Sequence, residues 1–149
     1  MEELRELYEE MILEHNRRPR NFMQHHEHAN HEAHGFNPVC GDDFTVYLTV
    51  RDGRIEDVSF DGVGCALSVA SASMMTEAVK GKSVAEAREL FERMRHLLLG
   101  EGSDADPGVG KLAILEGARE YPIRIKCATL PWHVLKGALD QEAGTVSTE

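Results

Sequence analysis

The sequence has few cysteines and no long apolar run, and each shortage excludes a class of protein. Its 149 residues include only three cysteines, an odd number that leaves at least one thiol unpaired. A small domain built on a disulfide framework is therefore not expected. No uninterrupted apolar stretch approaches the roughly 20 residues that a membrane helix needs. The chain is accordingly expected to have no membrane partner.

Basic residues are also scarce relative to acidic ones. The chain has 16 Lys and Arg against 26 Asp and Glu, which gives a net charge of −10. A nucleic acid backbone would be repelled by this charge, so no nucleic acid partner is expected. The local basic run of Arg17, Arg18 and Arg20 can be explained either as a contact for an acidic protein surface or as a solvated turn.

The acidic N-terminus, Met1-Glu2-Glu3-Leu4-Arg5-Glu6, lacks the basic start and apolar run of a signal peptide. This predicts a cytoplasmic protein, in which thiols stay reduced. The cysteines are then better explained as metal ligands or nucleophiles than as disulfide partners.

Length and pattern predict one α+β domain over residues 1–140, followed by a frayed tail over 141–149 that has little to bury. An amphipathic stripe predicts a helix from Leu4 that ends between Asn16 and Pro19. The polar, histidine-rich stretch 24–34 is interpreted as a loop. Alternating apolar residues predict a strand over 44–50.

Turn and capping signals predict the remaining elements. Asp52-Gly53 predicts a hairpin, with a returning strand over 55–60 and a tight turn over 61–64. Helices are predicted over 66–80 and, from a capping box at 83–86, to about Leu99. The stretch 100–110 is interpreted as a flexible link, and 111–117 as a short helix. A last helix is predicted with Thr129 as its N-cap and Pro131 in its first turn.

The three cysteines each have neighbours that suit an activated thiol. Cys40 precedes a glycine and Asp42, Cys65 follows a glycine turn, and Cys127 follows Lys126 and an arginine. Cys65 and Cys127 are predicted to lie at the starts of helices, where the positive end of the dipole favours the thiolate. The alternative is three buried, inert cysteines, since free cysteine is often buried.

Asp42 is two residues past Cys40, so both side chains are able to reach one metal. Cys40, Asp42, Cys65 and Cys127 would supply the four donors of a tetrahedral zinc site. The aspartate is the harder ligand and the one expected to exchange. Their spacing is not the compact pairing of a zinc finger, so spacing alone leaves the choice open.

The segments around the cysteines resemble the signature segments of the iron–sulfur cluster assembly scaffold family (IscU/NifU-N type), and within it the SufU-like branch. The resemblance implies an IscU-like fold with a small, three-stranded antiparallel sheet packed against several helices. It rests on three motifs in order: Asn37-Pro38-Val39-Cys40-Gly41-Asp42, Gly62-Val63-Gly64-Cys65-Ala66-Leu67-Ser68-Val69-Ala70-Ser71 and Arg124-Ile125-Lys126-Cys127-Ala128-Thr129-Leu130-Pro131-Trp132.

Two features indicate the SufU-like branch. Lys126 stands where classical scaffolds have histidine, and the segment between the second and third cysteines is longer. The resemblance implies a zinc site of Cys40, Asp42, Cys65 and Cys127. It also implies that the protein accepts persulfide sulfur from a PLP-dependent cysteine desulfurase (SufS type) and passes it toward a downstream cluster-assembly complex.

We hypothesise that Cys40 is the thiol that accepts sulfur, in a sulfurtransferase-like persulfide relay; whether such a relay counts as an enzyme stays open. One alternative is a scaffold that assembles a 2Fe–2S cluster on Cys40, Cys65 and Cys127 and hands it on. Another is a structural zinc-binding protein with no transfer role. A stable cluster formed in preference to zinc would favour the scaffold.

Five histidines precede Cys40, and they suggest either a second metal site or a solvated polar loop. Spacing gives them no common helix face, so the loop is the expected outcome. They are His25, His26, His28, His31 and His34.

Overall fold

The computed structural model describes residues 2–22, 29–38, 41–99, 112, 115, 122–140 and 145–147. These residues form an α+β fold with one sheet and four helices. In chain order the elements are α1 (Glu2–Arg17), β1 (His31–Asn37), β2 (Asp42–Arg51), β3 (Arg54–Val63), α2 (Ala66–Val79), α3 (Val84–Leu99), α4 (Pro122–Leu139) and β4 (Thr145–Ser147).

The sheet has the order β3-β2-β1-β4. Strands β1, β2 and β3 form the predicted three-stranded antiparallel sheet. The short strand β4 pairs in parallel with β1, from His34 opposite Thr145 to Phe36 opposite Ser147. It belongs to the segment 141–149 that was predicted to be a frayed tail, and the rest of that segment lies outside the described residues.

The hairpin between β2 and β3 is the one that the sequence predicts. Asp52 and Gly53 both have positive φ, at 53° and 74°, as a type I′ turn requires. The side chains of β2 alternate between buried and less buried positions up to a register shift between Thr49 and Val50. This bulge explains why Thr49 is buried although the alternation predicts the opposite.

Helices α2 and α4 make the main helix contacts with the sheet. α4 packs on β1 and β2, α2 packs on β3, and α2 is itself in contact with both α1 and α4. The largest fully buried side chains include Phe44, Phe60, Leu48 and Trp132. Because α2 is enclosed by these neighbours, its small residues such as Ala70 and Ala72 are completely buried.

Two predictions in the first half of the chain were wrong at their edges. The predicted loop 24–34 ends earlier, because β1 begins at His31 and pairs with Leu48 of β2; backbone pairing overrides the polar composition. The predicted turn 61–64 is mostly strand, since β3 continues to Val63. A Cβ atom on Gly62 would lie 2.0 Å from the carbonyl oxygen of Asp43, so this glycine permits close strand pairing.

The start of the last helix was also predicted wrongly. α4 begins at Pro122, which suits a first helical position, and Thr129 and Pro131 lie inside it. The predicted link 100–110 lies outside the described residues. So does the predicted helix 111–117, apart from Leu112 and Leu115, which are both buried.

The capping box at the start of α3 is confirmed. The backbone N–H of Ser83 donates to Glu86 Oε1 at 3.0 Å, and the backbone N–H of Glu86 donates to Ser83 Oγ at 3.1 Å. The bond from the Ser83 backbone N–H lowers the pKa of the Glu86 carboxyl, and the Ser83 hydroxyl lowers it further. Among the helices in the described ranges, none has the length and apolar character needed to cross a membrane.

Candidate metal centre

Three of the four predicted donors lie together. Asp42 is the first residue of β2, Cys65 immediately precedes α2, and Cys127 lies in α4. A carboxylate oxygen of Asp42 and the two sulfur atoms are all within 4.8 Å of one another. Cys40, the fourth predicted donor, lies outside the described residues.

Asp42 is held against the start of α2. Its Oδ1 accepts a hydrogen bond from the backbone N–H of Cys65 at 2.9 Å. The carboxylate therefore satisfies one of the unpaired N–H groups of the helix terminus, where a negative charge is also favoured by the helix dipole.

The second oxygen of Asp42 indicates what this site can hold. The residue is only 1% exposed, and within the part of the chain that the structure describes Asp42 Oδ2 has no hydrogen-bond partner. A buried carboxylate oxygen without a partner is costly. A cation beside it would remove that cost.

The donor types fit zinc. Two thiols and one carboxylate favour zinc over a hard cation such as magnesium, and a tetrahedral site needs one further ligand. Cys40 precedes Asp42 by two residues in the sequence. The three described donors are therefore compatible with the predicted set of Cys40, Asp42, Cys65 and Cys127.

Cys65 lies at the N-terminal end of α2, in contact with the first turn of the helix. It is exposed and occupies the N-cap of the helix without a capping bond from its own side chain. Ser68 Oγ donates to the Cys65 carbonyl at 3.0 Å and lies 3.5 Å from its sulfur. The hydroxyl of Ser68 thereby limits the positions open to the thiol.

Gly64 allows this close packing. A Cβ atom there would lie 2.5 Å from Ser68 Oγ, 2.7 Å from Phe44 Cζ and 2.9 Å from Asp42 Oδ1. These separations are shorter than ordinary van der Waals contacts, so any side chain would displace the residues that hold the site.

Cys127 has a different environment from the one predicted. It is 3% exposed and lies within α4, past the first turn, rather than just before the helix. Of the two described cysteines, only Cys65 therefore lies at a helix terminus. Lys126 and Arg124 are exposed on the same helix, and their predicted role in offsetting the negative charge of the centre stays a prediction.

Hydroxyl groups support the carbonyls on both sides of Cys127. Thr129 Oγ1 donates to the Lys126 carbonyl at 3.2 Å, and Ser71 Oγ donates to the Ala128 carbonyl at 2.6 Å. Sequence reasoning missed Ser68 and Ser71. The spacing of Ser68, three residues after Cys65, was the available signal, because helix residues three apart are neighbours.

The histidine-rich stretch supplies no metal cluster among the described residues. His25, His26 and His28 lie outside them. His31 Nδ1 is 2.8 Å from the Ala138 carbonyl, and His34 pairs with Asp43. Both described histidines thus have structural partners.

Comparison with known proteins extends these observations over most of the chain. A family model described as the NifU-like N terminal domain matches residues 7–128. The iron-sulfur cluster assembly scaffold protein IscU of Streptococcus pyogenes serotype M1 is 37% identical over 145 residues, which are 96% of this chain and 89% of that protein. The zinc-dependent sulfurtransferase SufU of Bacillus subtilis (strain 168) is 36% identical over 139 residues, which are 93% of each chain.

A solved structure has the same fold. The N-terminal part of a nitrogen-fixing NifU-like protein from Brucella abortus superposes with a TM-score of 0.80 at 27% identity, over 91% of this chain and 93% of that one. The family match at 7–128 includes the positions of all four predicted donors.

Proposed function

The chain belongs to the family of NifU-like N-terminal domains, and from this membership we propose that it acts in iron–sulfur cluster assembly as a zinc-dependent acceptor of sulfur. The observation that carries the proposal is the convergence of Asp42, Cys65 and Cys127 around a buried carboxylate oxygen that has no partner among the described residues.

The proposed zinc ligands are Cys40, Asp42, Cys65 and Cys127. When bound, zinc would keep the thiols deprotonated and protect them from oxidation. Two of the proposed ligands differ in how they are held. Cys127 is buried within α4, whereas Cys65 is exposed. Asp42 is the oxygen donor in an otherwise sulfur site, so it is the ligand expected to leave most easily.

The proposed acceptor is Cys40. Its thiolate attacks the terminal sulfur of a persulfide on the donor enzyme, so that a new S–S bond forms on Cys40 while the S–S bond of the donor breaks. The donor cysteine leaves as a thiolate, and no external oxidant or reductant is needed.

The need for a persulfide as the source of sulfur points to one class of partner enzyme. A persulfide is supplied by a PLP-dependent cysteine desulfurase, and the SufS type is the proposed partner, with a downstream cluster-assembly complex as the recipient. The name of the Bacillus subtilis relative, a zinc-dependent sulfurtransferase, supports this role. Its identity to this chain is almost the same as that of the Streptococcus pyogenes scaffold.

A second candidate function is a scaffold that builds a 2Fe–2S cluster on Cys40, Cys65 and Cys127. The exposure of Cys65 supports it, because iron and sulfide must reach the thiols. Anaerobic reconstitution of the zinc-loaded protein with iron and sulfide separates the two functions. A stable cluster that displaces zinc would favour the scaffold, and retained zinc favours sulfur transfer.

Sulfur transfer is tested with a SufS-type desulfurase and sulfur-labelled cysteine. We expect the zinc-loaded protein to accelerate cysteine turnover and to acquire one labelled sulfur on the peptide that contains Cys40. Cys40→Ser should abolish labelling, whereas Asp43→Asn, which changes an exposed carboxylate next to the site, should retain it. Labelling of Cys40→Ser at the wild-type rate would contradict the assignment.

A further inference from the structure

Two buried serines of α2, Ser71 and Ser73, form hydrogen bonds to different parts of the fold. Both Ser71 and Ser73 have no exposed surface. Ser73 Oγ accepts a bond from the backbone N–H of Arg20 at 2.8 Å and lies 2.7 Å from His15 Nδ1, so it connects α2 to α1 and the residues after it. Ser71 connects α2 to α4 instead.

Ser71 lies between two groups of α4. Its hydroxyl donates to the Ala128 carbonyl at 2.6 Å and accepts a bond from Trp132 Nε1 at 3.2 Å. Both contacts are buried. The helix that begins beside Cys65 is therefore bonded to the helix that carries Cys127, at the residue following that cysteine.

The contact lies next to a point where the backbone hydrogen bonding of α4 is interrupted. Pro131 lies inside the helix and has no N–H to donate to the carbonyl four residues earlier, which is that of Cys127. The proline ring also crowds that carbonyl and weakens the neighbouring bonds of the helix. The Ala128 carbonyl lies next to this interruption, and Ser71 supplies it with a bond from another helix.

We propose that Ser71 is a positioning residue that sets the place of the Cys127 sulfur relative to Cys65 and Asp42. This inference rests on the proposed zinc centre. The ligand distances of a zinc site are expected within about 0.2 Å of their standard values, so the position of each ligand matters. Without the Ser71 hydroxyl, α4 relaxes around Pro131, and the sulfur of Cys127 moves with it.

Ser71→Ala tests the inference, with Ser73→Ala as the matched control. Each variant removes one buried hydroxyl from α2, and Ser73 faces away from α4. The readouts are the cobalt–thiolate absorption spectrum of the protein titrated anaerobically with Co²⁺, and the zinc affinity measured by competition with a chromophoric chelator. Urea unfolding of the metal-free variants reports their general loss of stability.

We expect comparable losses of metal-free stability in the two variants. Only Ser71→Ala should change the cobalt spectrum, and its zinc affinity should fall about tenfold or more, similar to the loss of other groups that orient metal ligands. Trp132→Phe keeps the bond from Ser71 to Ala128 and should lose less affinity than Ser71→Ala.

Equal zinc affinity and equal spectra in Ser71→Ala and Ser73→Ala would overturn the positioning role while leaving the metal centre intact. An equal loss in Trp132→Phe and Ser71→Ala would overturn the assignment to the Ala128 carbonyl. A wild-type protein without a cobalt–thiolate spectrum would instead overturn the metal centre itself, and this inference with it.

Discussion

The two described cysteines of the candidate centre are held in opposite ways. Cys65 is exposed at the start of α2, where Asp42, Gly64 and Ser68 fix its backbone. Cys127 is buried inside α4, where its neighbouring carbonyls are bonded by Thr129 and Ser71. The first arrangement gives access to solvent and to a partner, and the second gives a fixed anchor. The proposed exchange of one ligand without loss of the metal would use both arrangements.

The largest expected effect comes from filling the space beside Cys65. Gly64→Ala places a Cβ atom 2.5–2.9 Å from Ser68, Phe44 and Asp42, so we expect it to lower the free energy of unfolding by about 2–3 kcal/mol. It should also remove most of the bound zinc. Chemical denaturation and metal analysis of the same preparation measure both.

Val63→Ala is the control for this change. Val63 is adjacent in sequence but 68% exposed, so its variant should stay within about 0.5 kcal/mol of the wild-type stability. If Gly64→Ala is as stable as Val63→Ala and keeps its zinc, the tight packing around Cys65 does not support the site.

Neutralising the Asp42 carboxylate should have the next largest effect, on the affinity for zinc. Asp42→Asn retains an oxygen that can accept the bond from the Cys65 N–H but removes the negative charge. We expect zinc affinity to fall at least about tenfold, measured by chelator competition.

The neighbouring carboxylate provides a matched comparison for this loss. Asp43 is exposed and pairs with His34, so Asp43→Asn should bind zinc as the wild type does. Equal zinc affinity in the two variants would remove Asp42 from the ligand set.

Chemical reactivity should separate the two thiols directly. In the metal-free Cys40→Ser protein, iodoacetamide should modify the exposed Cys65 at least about tenfold faster than Cys127, because a buried thiol reacts only after local opening. Peptide mass spectrometry at timed intervals measures both rates. Equal rates would mean that Cys127 is not the protected member of the pair.

The smallest expected effect is on the pH dependence of stability. It comes from His133, in the half of α4 beyond Pro131. Burial lowers the pKa of the His133 imidazole, with further contributions from Lys136 and Arg95. The unfolded chain therefore takes up a proton first as the pH falls below about 6.5, and the free energy of unfolding decreases in that range.

His133→Gln should show a smaller decrease in stability between pH 7.5 and 5.5 than the wild type, measured by urea unfolding at each pH. His133 also packs edge-on against Phe91, so the variant is expected to differ at every pH, and the slope is the quantity to compare. Identical slopes would show that protonation of His133 does not weaken the packing of α3 on α4.

Local signals in the sequence predicted much of the fold. The Asp52-Gly53 turn, the alternation in β2 and the capping box of α3 each act over a few residues, and each is present. β1 was missed because its polar composition gives no apolar alternation, and it exists through pairing with β2. Such non-local pairing is not visible in a single window of sequence.

The candidate site was also predicted only in part, because some of its contacts come from residues distant in sequence. The residue types and their motifs predicted Asp42, Cys65 and Cys127 as one group, and their donor atoms do lie together. The environment of Cys127 was mispredicted because Pro131 was taken as evidence for a helix start. Pro131 lies inside α4 instead, and Ser71, which bonds the Ala128 carbonyl of this helix, is 57 residues from Ala128 in sequence.

X-ray absorption at the zinc edge of the purified protein tests the central claim most directly. The account predicts one zinc per chain with three sulfur ligands at about 2.3 Å and one oxygen ligand at about 2.0 Å, and one sulfur fewer in Cys127→Ser. A protein purified without metal, or a zinc site whose sulfur count is unchanged by Cys127→Ser, would contradict it.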